Sequence, residues 1–167
     1  MTRAYIDPAY VPSETSASLV FSANHLDRLS EGRGPKIVEE ALAHPDCQVM
    51  GIARGRVALK FDDDIAQCLF DYDELLPLNP HRDRMILLGY EQDKPRLAVS
   101  LGVNPDEEGF EPAARYKLID FRSLAVQSLL SPLNLGLTAQ AAALLAWHSG
   151  NRFCGRCGQP TEMREGG

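Results

Sequence analysis

Gln48-Val49-Met50-Gly51-Ile52-Ala53-Arg54-Gly55-Arg56-Val57-Ala58-Leu59-Lys60-Phe61 is the stretch on which the fold turns. Two β-rich runs, 48–53 and 56–61, flank Arg54-Gly55, a glycine-bearing connection of hairpin length. Asp62-Asp63-Asp64 closes the second run. Three adjacent carboxylates lack the alternate spacing and glycine turn of a Ca or Mg loop, so they read as a solvated turn.

Working outward toward the N-terminus, Pro35 stands where a helix begins. Ile37, Val38, Ala41 and Leu42 form its one-sided apolar stripe, and His44-Pro45 stops it. Leu19-Val20-Phe21 fits a short strand, and Asn24 to Arg28 a polar loop or cap. Residues 1–18, with Pro8 and Pro12, read as an extended lead-in. On the other side, Ile65 to Leu76 carries apolar residues at helical spacing that could equally hide a strand around Cys68-Leu69-Phe70. Met85 to Leu88 and Arg96 to Leu101 bracket Gly89 to Pro95, which predicts a second hairpin. Asn104 to Pro112 is acidic, contains Pro105, Gly109 and Pro112, and reads as an exposed loop.

Asp120 is placed to cap a helix over 121–130, stopped by Pro132. Thr138 is placed to cap another over 139–149, closed by Gly150 in a position that tolerates a left-handed turn. These elements together predict an α+β domain, a small mixed or antiparallel sheet with flanking helices.

Beyond the last helix lies Phe153-Cys154-Gly155-Arg156-Cys157-Gly158-Gln159-Pro160-Thr161. Two cysteines three apart, each followed by glycine, can turn both sulfurs onto one point while the backbone passes through positive φ. That is the pattern of a zinc knuckle, with Cys154 and Cys157 as ligands. A tetrahedral structural site needs four donors, and a second pair usually returns about 15–20 residues on. The sequence reaches Gly167 first, so it is read as half of a zinc ribbon. A redox pair is the competing reading, but its first thiolate belongs at the start of a helix, and here a helix precedes the pair while Gly158 and Pro160 follow it. Unrelated free thiols are the third. His148, in the last turn of the preceding helix, is read as a packing residue complementing the helix dipole in preference to a ligand. His25, His44 and His81 have no partner at ligand spacing.

The chain has 167 residues, is 44% apolar and carries a net charge of −6 with a pI near 5.2. It can bury a core, and it has no bulk basic field to hold a nucleic-acid backbone, so nucleic acid is not an expected partner. No signal-peptide core or membrane span is evident, which predicts a cytoplasmic protein without membrane contact. In that setting Cys47 and Cys68, each within apolar sequence, are expected to be buried, inert thiols. No internal repeat, phosphate-binding glycine loop, nucleophile elbow or His-Glu-x-x-His helix is found.

The run Leu144-Leu145-Ala146-Trp147-His148, through Arg152-Phe153-Cys154-Gly155-Arg156-Cys157-Gly158 to Pro160-Thr161, resembles the start of the zinc ribbon in NADH pyrophosphatases of the Nudix hydrolase superfamily. Leu26-Asp27-Arg28-Leu29-Ser30 resembles that family's N-terminal Leu-Asp-Arg segment, and Asp120-Phe121-Arg122-Ser123-Leu124 the segment before its linker helix. The resemblance implies a non-catalytic Nudix-like N-terminal domain over 1–132, a linker helix over 133–150 and the first half of a zinc ribbon over 151–167. It also implies what the parent enzyme does: cleavage of NAD(H) to NMN(H) and AMP, in a homodimer, with structural Zn and catalytic Mg or Mn. The family's glutamate-rich catalytic box is not in this sequence, so no catalytic residue is assigned and the chain by itself is expected to be an inactive scaffold. A stand-alone knuckle that dimerises by sharing cysteine ligands is the alternative.

Overall fold

The computed structural model describes residues 19–29, 31–63, 65–112 and 115–167. The lead-in over 1–18, Ser30 of the Leu-Asp-Arg segment and Asp64 of the acidic triplet lie outside them.

The central hairpin is present as β1 (Gln48–Ala53) and β2 (Arg56–Asp62). Arg54 and Gly55 take φ of 45° and 78°, the pair of left-handed residues whose twist matches the flanking strands. The second hairpin joins β4 (Ile86–Glu91) to β5 (Lys94–Ser100). Its turn is only Gln92-Asp93, at φ of 49° and 66°, so strand pairing continues through Tyr90 and Pro95, where sequence reading expected a longer turn. The remaining strands are β3 (Ile65–Gln67) and β6 (Lys117–Asp120).

The sheet is six-stranded and mixed. Its order is β3-β2-β1-β5-β4, with β6 also pairing β2. The two hairpins meet through the parallel pair β1–β5, in which Val49 faces Leu97 and Gly51 faces Val99. Pairing between β1 and β2 is confined to Ile52↔Val57 and Ala53↔Arg56. Farther along β1, Phe70 bridges Val49 with backbone hydrogen bonds of 2.8 and 3.0 Å. The ambiguous stretch after the acidic turn is therefore neither one helix nor one strand. It is β3, the Phe70 bridge and a 3₁₀ helix at Tyr72–Leu78, capped reciprocally by Asp71 and Glu74.

Both faces of the sheet are covered. Val49, Leu87, Leu97 and Val99 pack with Phe70, Leu75 and Leu78 under α1 (Ile37–Leu42), which lies where Pro35 and His44 bound it. Met50, Ile52, Val57, Ile86, Leu88 and Ala98 point to the opposite face, against α2 (Phe121–Val126) and α3 (Pro132–Gly150). Alternate residues of one strand thus enter two different cores, which is why the central strands read as continuous apolar runs.

Three expectations need correction. Leu19-Val20-Phe21 is a turn, with Leu19 and Val20 exposed and Phe21 packed against the core on the α3 side of the sheet. Asp120 does cap α2, accepting from the Ser123 N–H at 2.9 Å, but that helix ends at Val126. The last helix starts six residues before Thr138. Ser131 is its cap, accepting from Asn134 N–H at 3.2 Å, and Pro132 opens it at the position where proline costs no hydrogen bond. Thr138 is instead an interior, fully buried residue whose hydroxyl donates to Asn134 O at 2.6 Å.

Strand β4 is the edge nearest α3, and other segments occupy its polar groups. Asp27 exchanges backbone hydrogen bonds with Tyr90 (3.0 and 2.8 Å), Gln140 of α3 donates to Leu88 O (2.9 Å), and Gly166 O accepts from Leu87 N–H (2.9 Å). Asn24 donates to the Gln140 side-chain oxygen, tying the N-terminal segment to the helix. An edge so covered offers no template for another strand.

Candidate metal centre

Helix α3 stops because Asn151 folds back on its end. The Asn151 backbone N–H and side-chain amide both donate to Trp147 O, at 2.9 and 2.7 Å. Gly150 remains helical, so the left-handed closure expected there does not occur. The chain then forms a tight knuckle. Phe153 and Pro160 pair across it, Cys154 N–H donates to Gln159 O (2.8 Å), Gly158 N–H donates to Cys154 O (2.8 Å), and Thr161 N–H donates to Arg152 O (2.9 Å). Of the two glycines expected to take positive φ, Gly158 does so, at 71°, and Gly155 does not.

The backbone N–H groups of Arg156 and Cys157 and the free Cys157 thiol lie on the side of the Cys154 sulfur. Their hydrogen bonding favours the thiolate and holds Cys154 below the ordinary thiol range. Backbone donors aimed at a sulfur, with a second sulfur beside it, suit a thiophilic cation such as zinc. The donor set fits half of a tetrahedral shell. Cys157 is exposed, Cys154 partly so, and among the described residues no group of three or more His, Cys, Asp or Glu side chains comes together. Catalytic Mg or Mn, which takes oxygen donors, finds no such cluster among them either.

Cys47 and Cys68 stay away from the knuckle. Each is buried, one in each core, and burial pushes their thiols up to about 11 and about 12. They are inert packing residues, as their apolar surroundings suggested. His148 lies at the end of α3, its ring edge-on to Trp147 with centroids 4.9 Å apart. Burial lowers its pKa, so the neutral imidazole is favoured over the protonated, dipole-complementing form expected from sequence.

One charged cluster was not legible in the sequence. Lys60 pairs with Glu74 and lies 5.0 and 4.8 Å from the ring centres of Phe70 and Tyr116, whose hydroxyl donates to Glu74 O. Burial alone would lower the Lys60 pKa, but its bonds to Glu74 and Tyr116 leave it raised, while the Lys60 bond lowers that of Glu74. The four side chains come from β2, the Phe70 bridge, the 3₁₀ helix and the residue before β6, so only the folded sheet gathers them. Their bonds are satisfied within the cluster, which makes it a clamp and not a reactive site.

Comparison with known proteins places these features. The sequence model of the family described as "NADH pyrophosphatase-like rudimentary NUDIX domain" matches residues 37–147, from α1 to the last turn of α3. The NAD-capped RNA hydrolase NUDT12 of Homo sapiens is 30% identical over 125 residues, covering 62% of this chain and 27% of that protein. The Macaca fascicularis protein of the same description matches at 30% and the Pongo abelii one at 29%, with the same coverage. The match therefore spans about a quarter of the length of these relatives. Among the described residues, no helix is long and apolar enough to cross a membrane.

Proposed function

The chain belongs to the family of NADH pyrophosphatase-like rudimentary NUDIX domains, and on that premise we propose that it is the amino-terminal, non-catalytic part of a metal-dependent NAD(H) diphosphatase. The parent enzyme cleaves the dinucleotide pyrophosphate to NMN(H) and AMP. NAD-capped RNA, named for the relatives, falls in the same substrate class because its cap presents NAD. Residues 1–132 form the Nudix-like scaffold, 133–150 the helix leading out of it, and 151–167 the first half of a zinc ribbon.

The observation that carries this reading is the juxtaposition of the family match, ending at residue 147, with a thiolate-favouring Cys154–Cys157 knuckle a few residues beyond it. Cys154 and Cys157 would hold a structural Zn, which supplies cross-linking and no chemistry on substrate. Mg or Mn belongs to a catalytic domain outside this sequence. The scaffold supports homodimerisation in the cytoplasm and shapes the neighbouring active site.

The test is an assay of the purified chain with NADH and Mg or Mn. No AMP or NMNH is expected, and appreciable product would refute the assignment of catalysis to another domain. A second reading has support in the exposure of Cys157 and the lack of a third donor among the described residues: the knuckle is an interaction module that dimerises by sharing four cysteines between two chains. Zinc content separates the two. About half an equivalent per chain, lost together with the dimer on chelation, favours the shared site.

A further inference from the structure

Residues 22–28 lie across β4 and α3 as a strap, held by different forces from the elements it covers. No residue from Leu19 to Leu29 is fully buried, whereas Leu88 on β4 and Leu137 on α3 have none of their surface exposed. The hold on the strap is polar. Asp27 and Tyr90 exchange backbone hydrogen bonds of 3.0 and 2.8 Å, and Asn24 donates to Gln140, which in turn donates to Leu88 O at 2.9 Å. The Asn24 side-chain oxygen accepts from Leu26 N–H at 3.0 Å. A segment with few buried apolar contacts and a short row of hydrogen bonds belongs to the low-stability end of a fold.

The fit of the strap makes its bonds interdependent. An added Cβ at Gly89 would sit 2.6 Å from Asp27 O, and one at Gly136 would sit 2.9 Å from Asn24 N, so backbone rests directly on backbone at both seats. Asn24 and Asp27 are three residues apart, and neither can leave its seat without disturbing the other. Strain brackets the same segment. Phe21 and Leu29 take φ of 76° and 45°, left-handed values that are unfavourable for bulky side chains. Lifting the strap would let both relax.

We propose that residues 22–28 are a latch: a strap that opens and closes as one unit about Phe21 and Leu29 and, while closed, keeps the β4 edge from pairing with another strand. The relay from Asn24 through Gln140 to Leu88 O is its catch. Opening frees the N–H and C=O of Tyr90, the kind of backbone groups through which an added strand pairs with a sheet edge. The inference concerns the sheet edge and not the knuckle, and it does not rest on the diphosphatase reading.

Native-state amide exchange tests this on the intact chain, with its thiols reduced and a chelator present so that the knuckle takes no part. The amides of Leu26, Asp27 and Tyr90 should share one opening equilibrium, at least about tenfold more open than that of amides in the middle of β5. Gln140→Ala should raise all three together by about tenfold, the upper size of one hydrogen bond. In sedimentation, the same variant should self-associate more strongly than the parent chain, because its edge is bared more often. Exchange of the three amides at the rate of the β5 core would make the segment part of the global fold, and unequal responses to Gln140→Ala would mean that it frays residue by residue; either overturns the latch. Association no stronger than that of the parent overturns its role as a guard of the edge. Should Gln140→Ala fail to fold, Asn24→Ala severs the same catch from the strap side and is read at Asp27 and Tyr90. None of these outcomes bears on NADH cleavage, which is assayed separately.

Discussion

The sheet domain and the knuckle are held together by different forces, although a single helix joins them. In the domain, side chains such as Phe70, Leu75, Leu88 and Leu124 are at most 2% exposed and fill two cores. In the knuckle, from Asn151 to Thr161, every residue except Cys154 is exposed. A handful of backbone hydrogen bonds sets its shape, and each contributes only about 0.5–1.5 kcal/mol net. The contrast teaches that burial specifies the domain, whereas the knuckle rests on short-range backbone hydrogen bonds alone, which is the setting in which the proposed cross-link through Cys154 and Cys157 would add most.

The strongest way to break that comparison is to open a core. Phe70→Ala removes the ring that packs edge-on against Tyr116, 5.5 Å between centroids, and lies over the β1 bridge. A loss of about 3–5 kcal/mol is expected in chemical denaturation. A loss below about 1 kcal/mol would mean that the Phe70 bridge is peripheral to the domain.

Next in size is Gly136→Ala in α3. An added Cβ would sit 2.9 Å from Asn24 N and 3.2 Å from the Ala23 carbonyl carbon, both backbone atoms that cannot rotate away. Alanine in a helix is otherwise favourable by about 1 kcal/mol, so the sign decides the matter. Net destabilisation of about 1–3 kcal/mol is expected from overpacking. A stabilised variant would show that the Ala23–Asn24 segment does not press on the helix.

A smaller effect comes from the Lys60–Glu74 clamp. The folded state lowers the Glu74 pKa, so its stabilisation is complete above the unfolded value of about 4.3 and disappears as pH falls through the lower folded value. The melting temperatures of the wild type and Glu74→Gln should therefore differ at pH 7 and converge in acid. A gap that stays constant down to pH 2 would remove the ion pair as its cause.

The smallest expected effect is also the most specific to the comparison. Cys154→Ser, or a chelator, should leave the main unfolding transition unmoved while amide protection at Cys154, Gly158 and Thr161 is lost. A concerted drop in the melting temperature of the whole chain would mean that the knuckle and the domain fold as one unit.

How much of this was legible in advance follows from the range of each interaction. The hairpin at Arg54-Gly55, the helix after Pro35 and the Asp120 cap rest on residues within a few positions of one another, and each is found where its local pattern put it. Errors arose where a local pattern was ambiguous and a distant partner decided it. Thr138 is an acceptable cap by type, but Ser131 with Pro132 makes a better one, and burial against the sheet takes the helix through Thr138. β6 was overlooked because Lys117–Asp120 is partly exposed and becomes a strand only by pairing with β2. For the candidate centre, spacing named Cys154 and Cys157. It said nothing of the strap on β4, since Asn24 and Gln140 are far apart in sequence and meet only through folding.

By itself, the sequence determined the alternation of apolar and polar residues, the turns, the caps and the pair of thiols, because period, φ preference and ligand spacing are properties of neighbouring residues. Tertiary structure alone decided the parallel join between hairpins, the Lys60 clamp, the covering of the β4 edge and the burial that lowers the His148 pKa. Each of these depends on which distant groups exclude water from one another, and only the folded chain fixes that.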